Sequence, residues 1–496
     1  MKRGKELAIG GFRDYYPELY QKVDRILQAF REIPKLFGYI EYECPIVEPL
    51  KLYQLKSGPS LVDETFKVTD RKKRRLVLRP ETTPSLARML AAQQQYYPRP
   101  IRWFSISRVF RDETLQRGRV KEFWQLNVDI LGTEEIAADA EVINVLAAII
   151  LSLGFSVTDF VIRINDRRLI QNFIESLGLT NYTEIIRVLD QRDKLLQESL
   201  FNQLTKGGIP PKKAEEIALK LRHFFVGKQK IEPKLPKSKL INDLKSTLPE
   251  LQRDALVAQL KKIKIPQQAA EQLTEFSGIR GAPREVLKAL QKAVLDDSTT
   301  AAIEPLNQLA QQLEELGIAD CCEFDTGIAR GLDYYTGIVF EAWDQGTGIP
   351  RAIAGGGRYD DLVGIFGGQR LPGTGFGFGE TVILEIADEK GLFPPPAAPA
   401  DIYLAPVSKK QLTKCREIGT QLRREGIRTI FNGFSWSLKK HLEDASKRLI
   451  PFTAIVGPRE LENNAVTLRN MISGEEQQVA ILKLAAFVKA ARKGKD

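Results

Sequence analysis

The spacing of hydrophobic residues changes along the chain, and in the first 170 residues it predicts a mixture of helix and strand. Apolar residues recur every three or four positions over 20–37, which is the pattern of an amphipathic helix. Short apolar runs at 76–78, 101–104 and 126–131 predict strands. The charged run 69–75 lies between two apolar segments and predicts a solvent-exposed hairpin tip.

Residues 171–320 follow a helical pattern, and strands with glycine turns return after Cys321. Prolines at 210, 211, 233 and 236 separate the helical segments. The predicted helices cover 171–177, 182–200, 212–226, 249–262, 266–277, 284–295 and 305–316. We therefore predict a helical module that is inserted into an α+β domain.

A proline-rich stretch at 392–399 predicts a stiff linker to a further domain. Beyond it, predicted strands at 402–407, 429–434, 452–456, 465–471 and 478–481 alternate with helices at 409–425, at 438–447 and up to 493. This alternation predicts a small α/β domain. The expected boundaries are 1–170 and 321–392 for the two parts of the α+β domain, 171–320 for the insertion and 400–496 for the last domain.

Length and composition indicate a folded protein of several domains. The chain has 496 residues, 43% of them hydrophobic and 27% charged, whereas one domain usually holds about 100–200 residues. The apolar stretch 143–153 is shorter than the ~20 residues of a membrane-spanning helix, and the N-terminus has no apolar signal region, so we expect a cytoplasmic protein without membrane contact. The four cysteines form no Cys-x-x-Cys pair, so we expect neither a metal site nor disulfides.

Positive charge is concentrated in one part of the insertion. The net charge is +10, and residues 205–265 hold 15 Lys and Arg against 6 Asp and Glu. Such a segment is often only a solvated surface, but its concentration favours a polyanionic partner, with nucleic acid as the leading candidate. The two histidines, His223 and His441, lie beside no serine or cysteine motif, so any catalysis should depend on arginines and carboxylates.

The densest candidate chemistry lies in two predicted strands around a charged loop, 107–129. Gln125, Asn127 and Asp129 alternate and therefore project from one face of the second strand, which suggests a polar pocket floor. An ordinary amphipathic strand remains the alternative, because Trp124 and Leu126 lie on the other face. At the end of the first strand, a guanidinium such as that of Arg111 can clamp a phosphate.

Two further segments bring polar groups and glycines together. In 78–85, Glu81, Thr82 and Thr83 stand where a helix begins, and a hydroxyl there could equally be a helix cap. Glycines are dense in 325–337, 355–360 and 373–380, where they would let the backbone approach a ligand closely. Each glycine segment alone is a weak signal, whereas their order along the chain is specific.

Taken together, these segments resemble the class II aminoacyl-tRNA synthetases, and specifically the histidyl-tRNA synthetases. The resemblance covers nearly the whole chain and implies a class II catalytic domain with an antiparallel sheet, together with a C-terminal anticodon-binding domain. The similar segments are 11–17, 78–83, 110–125 (motif 2), 330–335 and 356–360 (the two histidine signatures), and 457–471.

The resemblance also implies a role for each candidate residue. ATP would be bound as a substrate and would bring Mg²⁺, whose ligands are unassigned, and the other partners would be L-histidine, tRNA(His) and a second copy in a homodimer. Arg111 and Arg330 would be catalytic, and Arg330 would bridge the histidine carboxylate and the α-phosphate. Histidine would be bound by Glu81, Thr82, Thr83, Gln125, Asp129, Arg330, Tyr334, Tyr335 and Tyr359, and ATP by Arg111, Glu113, Arg119 and Phe123.

One position departs from the family pattern. Class II motif 3 usually ends in an arginine that meets the γ-phosphate, and Val382 occupies that position here. Arg117 or Mg²⁺ would then have to meet the pyrophosphate.

The implied activity is ATP-dependent ligation of L-histidine to tRNA(His) through a histidyl-adenylate. The alternatives are a non-aminoacylating regulatory paralogue of histidine biosynthesis and a nucleic-acid-binding module without catalysis; the retained Arg330 and C-terminal domain argue against the first.

Overall fold

A computed structural model describes residues 8–55, 62–114, 117–227, 236, 239–292, 296–328, 334–347, 349, 351–395 and 397–493. The chain divides into two compact units, Met1–Phe393 and Pro394–Asp496. Within the described ranges, no helix has the length and apolar character needed to cross a membrane.

The strands of the first unit form a large sheet and a small one. They are β1 (Ile40–Glu41), β2 (Val47–Pro49), β3 (Lys67–Thr69), β4 (Arg75–Leu78), β5 (Ile101–Phe110), β6 (Glu122–Leu131), β7 (Phe160–Asp166), β8 (Arg280–Gly281), β9 (Cys322–Asp325), β10 (Ile338–Asp344), β11 (Ala352–Arg358) and β12 (Gly373–Gly379). The large sheet has the order β1-β5-β6-β12-β11-β10-β7-β9-β8, and the small one β2-β4-β3. The central pairings are antiparallel, and only β1 with β5 and β7 with β9 run parallel.

The helices of the first unit surround this sheet or belong to the insertion. They are α1 (Pro17–Leu36), α2 (Leu50–Gln54), α3 (Thr83–Gln93), α4 (Ile136–Ser152), α5 (Arg167–Ser176), α6 (Tyr182–Asp190), α7 (Arg192–Lys206), α8 (Pro211–Gly227), α9 (Lys239–Ser246), α10 (Leu248–Lys262), α11 (Gln267–Ser277), α12 (Pro283–Lys292), α13 (Asp297–Ala301), α14 (Glu304–Glu315), α15 (Leu362–Ile365) and α16 (Glu380–Glu389). Short 3₁₀ turns cover Gln94–Tyr96 and Ala319–Cys321.

Helix α1 shows how the apolar pattern positions the back of the sheet. Pro17 starts the helix, where its missing N–H costs nothing. Of the predicted apolar face, Val23, Ile26 and Phe30 are fully buried, while Ile33 is partly buried. Phe30 packs on Phe378 of β12 with ring centroids 4.8 Å apart. Because α1 packs on this face of the sheet, polar groups can lie on the opposite face.

The insertion differs from the sequence prediction in several elements. The predicted helix 182–200 is two helices, because the chain breaks at Gln191 (φ −88°, ψ 2°) between α6 and α7. Helices α9 and α13 and strand β8 were not predicted, because each is no longer than eight residues and gives only a weak periodic pattern. Helices α7 to α9 share a small core of their own, while α10, α11, α12 and α14 contribute to the main core of the unit.

The second unit has a five-stranded sheet flanked by helices, as the alternation predicted. The elements are β13 (Ile402–Pro406), a 3₁₀ turn (Lys409–Gln411), α17 (Leu412–Arg424), β14 (Thr429–Phe431), α18 (Leu438–Lys447), β15 (Phe452–Val456), α19 (Pro458–Glu462), β16 (Ala465–Asn470), β17 (Glu476–Ala480) and α20 (Ile481–Lys493). The strand order is β14-β13-β15-β16-β17. The predicted fold class, an α+β domain with a helical insertion followed by an α/β domain, is confirmed.

Candidate active site

The polar face of the large sheet forms the floor of a cavity of about 600 Å³. Two residues of the predicted site are not in its lining: Thr82 is fully buried, and Arg330 lies outside the described residues. The predicted site residues that line the cavity are Glu81, Thr83, Arg111, Glu113, Arg119, Phe123, Gln125, Asp129, Tyr334, Tyr335 and Tyr359.

The predicted polar stripe of β6 is the floor itself. Gln125 Nε2 donates to Asn127 Oδ1 at 2.8 Å, and Asn127 Nδ2 donates to Thr83 Oγ1 at 3.3 Å. All three side chains are more than 90% buried, and because they are hydrogen-bonded to one another their burial costs little free energy. Asn127 was in the stripe but not among the predicted ligand-binding residues, and its alternation with Gln125 and Asp129 was the signal that could have placed it there.

Glycines of β12 make room for this stripe. In the register of the sheet, Gly375 lies opposite Asp129 and Gly377 opposite Asn127. A Cβ at Gly375 would stand 2.2 Å from Asp129 Oδ1, and one at Gly377 would stand 3.2 Å from Gln125 Nε2. The glycine-rich segment is therefore required by the close packing of polar side chains on the neighbouring strand.

Asp129 is the most perturbed group of the floor. Its side chain is 1% exposed, and desolvation raises its pKa to about 7, against a smaller opposing effect of the hydrogen bond from Tyr359. The Tyr359 hydroxyl donates to Oδ1. Oδ2 has no hydrogen-bond partner among the described residues. The carboxyl thus offers a buried acceptor to a donor that enters the cavity.

Glu81 and Tyr334 form a second polar pair beside the start of α3. The Tyr334 hydroxyl donates to Glu81 Oε2 at 3.3 Å, and the Tyr53 hydroxyl donates to the Glu81 carbonyl at 3.1 Å. Thr82 occupies the N-cap position of α3, but its side chain makes no capping hydrogen bond. The cap expected from a threonine or serine hydroxyl is therefore not made by the N-cap residue itself.

The other end of the cavity is cationic. Arg111 Nε donates to the Pro80 carbonyl at 3.0 Å and Nη2 to Gln125 Oε1 at 3.4 Å. Its guanidinium carbon lies 5.4 Å from the centroid of the Phe123 ring. Glu113 pairs with Arg119 at 2.6 Å and with Arg111 at 3.9 Å. These contacts orient two guanidiniums and one aromatic face toward the same space.

Several lining residues were not predicted. The insertion supplies Asp190, Gln191 and Lys194 at the break between α6 and α7, and the segment before β11 supplies Arg351. Conversely, Arg117, which was expected to meet pyrophosphate, pairs with Glu385 at 3.6 Å and with Glu389, both of α16, and is not in the lining.

A buried ion pair ties the insertion to the sheet next to the cavity. Arg192 Nη2 lies 2.9 Å from Asp325 Oδ2, and Nη1 lies 3.1 Å from Oδ1. Burial alone would raise the pKa of Asp325, but the Arg192 guanidinium lowers it to about 2. A Cβ at Gly327 would stand 2.0 Å from Arg192 Nη1. This glycine of segment 325–337 thus leaves room for the arginine that anchors α7.

The two ends of the cavity differ in chemistry. One end has the carboxyls of Asp129 and Glu81 with phenolic rings around them, which suits a small molecule that bears nitrogen donors. The other end has arginines beside the face of Phe123, which suits a phosphate ester of a planar base. Strand geometry separates Asp129 from Gln125, on which Arg111 rests, by roughly 13 Å. Both molecules can therefore lie on one floor with their polar ends together.

Comparison with known proteins gives one consistent result. The family model for histidyl-tRNA synthetase matches residues 11–232 and 212–381, and the model for the anticodon binding domain matches 401–491. A histidine–tRNA ligase of Pyrococcus furiosus is 32% identical over 98% of this chain and 99% of that relative. A histidine–tRNA ligase of Pyrococcus horikoshii is 33% identical over 97% of this chain and 98% of that relative.

Solved structures share the fold. The histidyl-tRNA synthetase of Nostoc sp. PCC 7120 aligns with a TM-score of 0.75 and 23% identity over 98% of this chain and 99% of that chain. A Bacillus halodurans structure described as an ATP phosphoribosyltransferase regulatory subunit/histidyl-tRNA synthetase has a TM-score of 0.64 and 20% identity, over 91% of this chain and 97% of that chain.

Proposed function

Because the chain belongs to the histidyl-tRNA synthetase family, we propose that the cavity on the large sheet is where it activates histidine. The chain is a histidine–tRNA ligase, which uses ATP to join L-histidine to tRNA(His) through a histidyl-adenylate. The regulatory paralogue has less support, since the curated relatives that span nearly the whole chain are named as ligases.

The acidic end of the cavity binds the histidine in this proposal. The free Oδ2 of Asp129 accepts a hydrogen bond from one imidazole N–H. The hydroxyls of Tyr335 and Tyr359 also contact the imidazole, since a neutral imidazole has one donor and one acceptor nitrogen. Glu81 and Thr83 receive the amino group, with Gln125 and Tyr334 beside it. The supporting observation is the raised pKa of Asp129, about 7, because a carboxyl that is costly to ionise gains most from a buried donor.

The cationic end binds ATP. Adenine stacks on Phe123, and Arg111, fixed by Pro80 and Gln125, meets the α-phosphate. Glu113 and Arg119 bracket the rest of the nucleotide. The roles of Thr82 and Arg330 remain predictions from the family resemblance; Thr82 is buried at the N-cap of α3, and Arg330 lies outside the described residues.

The chemistry follows from these positions. The histidine carboxylate attacks the α-phosphorus, the α–β anhydride bond breaks, and pyrophosphate leaves with the bonding electron pair. Negative charge that develops on the α-phosphoryl oxygens is stabilised by a guanidinium that is already in place. No general base is needed, because the attacking carboxylate is already ionised at neutral pH. In the second step, the terminal hydroxyl of tRNA(His) attacks the activated carbonyl and loses its proton, the bond between the carbonyl carbon and the phosphate oxygen breaks, and AMP leaves with the bonding electron pair.

Mg²⁺ enters this proposal as a companion of ATP. The described part of the chain has no group of three or more acidic, histidine or cysteine side chains arranged to hold a metal ion. Mg²⁺ commonly keeps several waters and binds nucleotide phosphates through few protein ligands. When bound, it would neutralise phosphate charge; we assign no protein ligand to it.

The expected homodimer and cytoplasmic location also belong to the proposal. The edge strand β1 carries an exposed Ile40, and Leu36 and Val47 nearby in sequence are exposed as well. Apolar side chains on a sheet edge favour contact with another chain, and a second copy is the partner that we propose. Light scattering after size exclusion tests this assignment, and a monomer at micromolar concentration would contradict it. We propose a cytoplasmic location as well, since a tRNA ligase acts where translation occurs.

The experiment that tests the site assignment separates binding from chemistry. Arg111→Ala should slow histidine-dependent exchange of pyrophosphate into ATP by about 10²–10³, the usual effect of losing one preorganised donor, while the Kd of histidine changes less than threefold. Arg330→Ala should likewise slow pyrophosphate exchange strongly and change the Kd of histidine little. Equal losses in exchange and in histidine affinity would contradict the assignment of both arginines to the transition state.

A further inference from the structure

Arg351 lies beside the position from which the expected motif 3 arginine is missing. Gly118, in the loop after β5, lies between the two residues: a Cβ on it would stand 3.3 Å from Arg351 Cδ and 3.4 Å from Val382 Cγ2. The side chains of Arg351 and Val382 therefore flank one point, although they come from different elements, the segment before β11 and helix α16. Both line the cavity.

Arg351 lies in a region with more positively than negatively charged side chains. Burial, which has the largest effect, and the neighbouring guanidiniums of Arg119 and Arg111 together lower the pKa of Arg351 to about 10, against the raising effect of Glu113 and Glu64. Glu113 is already paired with Arg119. Three guanidiniums thus share one region with two carboxylates, and a ligand with several negative charges would relieve their repulsion.

The geometry points to Arg351 as a phosphate-binding catalytic residue that meets the β- and γ-phosphates of ATP and the departing pyrophosphate. This inference rests on the proposed function, in which Phe123 holds the adenine and Arg111 the α-phosphate. The triphosphate then extends from Arg111 toward the remaining cations of the lining. Arg351 and Arg119 are the guanidiniums found there among the described lining residues.

The other candidate, Arg117, is differently placed. Its guanidinium pairs with two carboxylates of α16, Glu385 and Glu389. Arg117 is also absent from the residues that line the cavity, whereas Arg351 is among them. Arg351 also remains protonated at neutral pH with a pKa of about 10, so it carries its charge throughout the reaction.

Affinities for ATP and AMP test the inference, because only ATP has the phosphates that Arg351 would meet. Arg351→Ala should weaken ATP binding by about 10- to 100-fold, which is the range for one charge-assisted contact, and change AMP binding less than twofold. Arg351→Lys should restore part of the ATP affinity. Arg351→Gln gives the same comparison if the alanine variant does not fold. The matched control Arg284→Ala removes an exposed guanidinium that is paired with Glu314 and should change neither affinity.

A second variant tests the position directly. Val382→Arg in the Arg351→Ala background returns a guanidinium to the same region and should recover at least part of the lost ATP affinity. The inference is overturned if Arg351→Ala leaves ATP binding unchanged, if it weakens AMP as much as ATP, or if Arg117→Ala causes the selective loss instead. Failure of the proposed function would appear separately, as wild-type protein that binds ATP but shows no histidine-dependent pyrophosphate exchange.

Discussion

Replacing Asp129 with asparagine should make the ligand-free protein more stable at pH 8 and remove its response to histidine. The carboxyl is fully enclosed, and desolvation raises its pKa from 3.8 to about 7. Between about pH 4 and 7 the folded protein therefore holds a proton that the unfolded chain has lost. The free energy of unfolding falls as the pH rises through this window, and above it the ionised carboxyl carries its full cost.

The size of the effect follows from the same values. Each pH unit of difference corresponds to 1.36 kcal/mol, so the ionised Asp129 destabilises the folded state by about 4 kcal/mol at pH 8. An asparagine carries no charge, and its amide oxygen can still accept the hydrogen bond of Tyr359. The entropy of unfolding of a unit of this length is about 0.8 kcal/mol per kelvin, so the variant should melt about 5 °C higher at pH 8.

The assay is a thermal melt of the wild type and Asp129→Asn without ligands at pH 5.5 and pH 8. The difference in Tm should be about 5 °C at pH 8 and only about 3 °C at pH 5.5, because at pH 5.5 the pH has risen through only about half of the window between the two pKa values. Glu380, whose pKa burial also raises to about 7, is present in both proteins, so its contribution cancels in the comparison. Saturating histidine should raise the Tm of the wild type and leave that of the variant unchanged. An equal difference at both pH values, or a variant that is less stable at pH 8, would refute the reasoning.

Three other changes test separate parts of the account. Gly375→Ala forces a Cβ to within 2.2 Å of Asp129 Oδ1, so the affinity for histidine should fall at least tenfold in calorimetry, with a stability loss of about 1–3 kcal/mol; unchanged affinity would show that the floor can adjust. Arg192→Ala leaves the buried Asp325 without its partner and should cost about 3–5 kcal/mol in denaturant unfolding, whereas a loss below 1 kcal/mol would contradict a structural role for the pair. Neutralising the lysines of 228–237, which lie outside the described residues, should weaken tRNA binding and flatten its salt dependence; an unchanged slope would mark the segment as solvated surface.

Much of the fold could be predicted because its elements have strong periodicity. The amphipathic face of α1 and the alternation in β6 follow directly from side-chain direction, and both are found where predicted. The break at Gln191 could not be predicted, because residues 182–200 have a nearly continuous helical pattern. A turn between α6 and α7 is decided by packing against the sheet, where Arg192 reaches Asp325.

Some features of the site could likewise be predicted from the sequence, and others could not. Gln125 and Asp129 could be assigned to a pocket floor from the alternation of one strand, while the need for glycine at Gly375 appeared only when the register placed it opposite Asp129. Arg351 carried no sequence signal, since it stands beside a glycine-rich strand without polar alternation. Its proximity to Val382 arises from chain segments that are far apart in sequence, and only the tertiary fold brings them together.

The central claim is that this cavity activates histidine with ATP, and pyrophosphate exchange measured with each of the twenty amino acids tests it most directly. Exchange should occur with L-histidine and remain at the background level with the other nineteen, and Asp129→Asn should reduce the histidine signal at least a hundredfold. Folded wild-type protein that shows no exchange with histidine, or that exchanges equally well with another amino acid, would contradict the account.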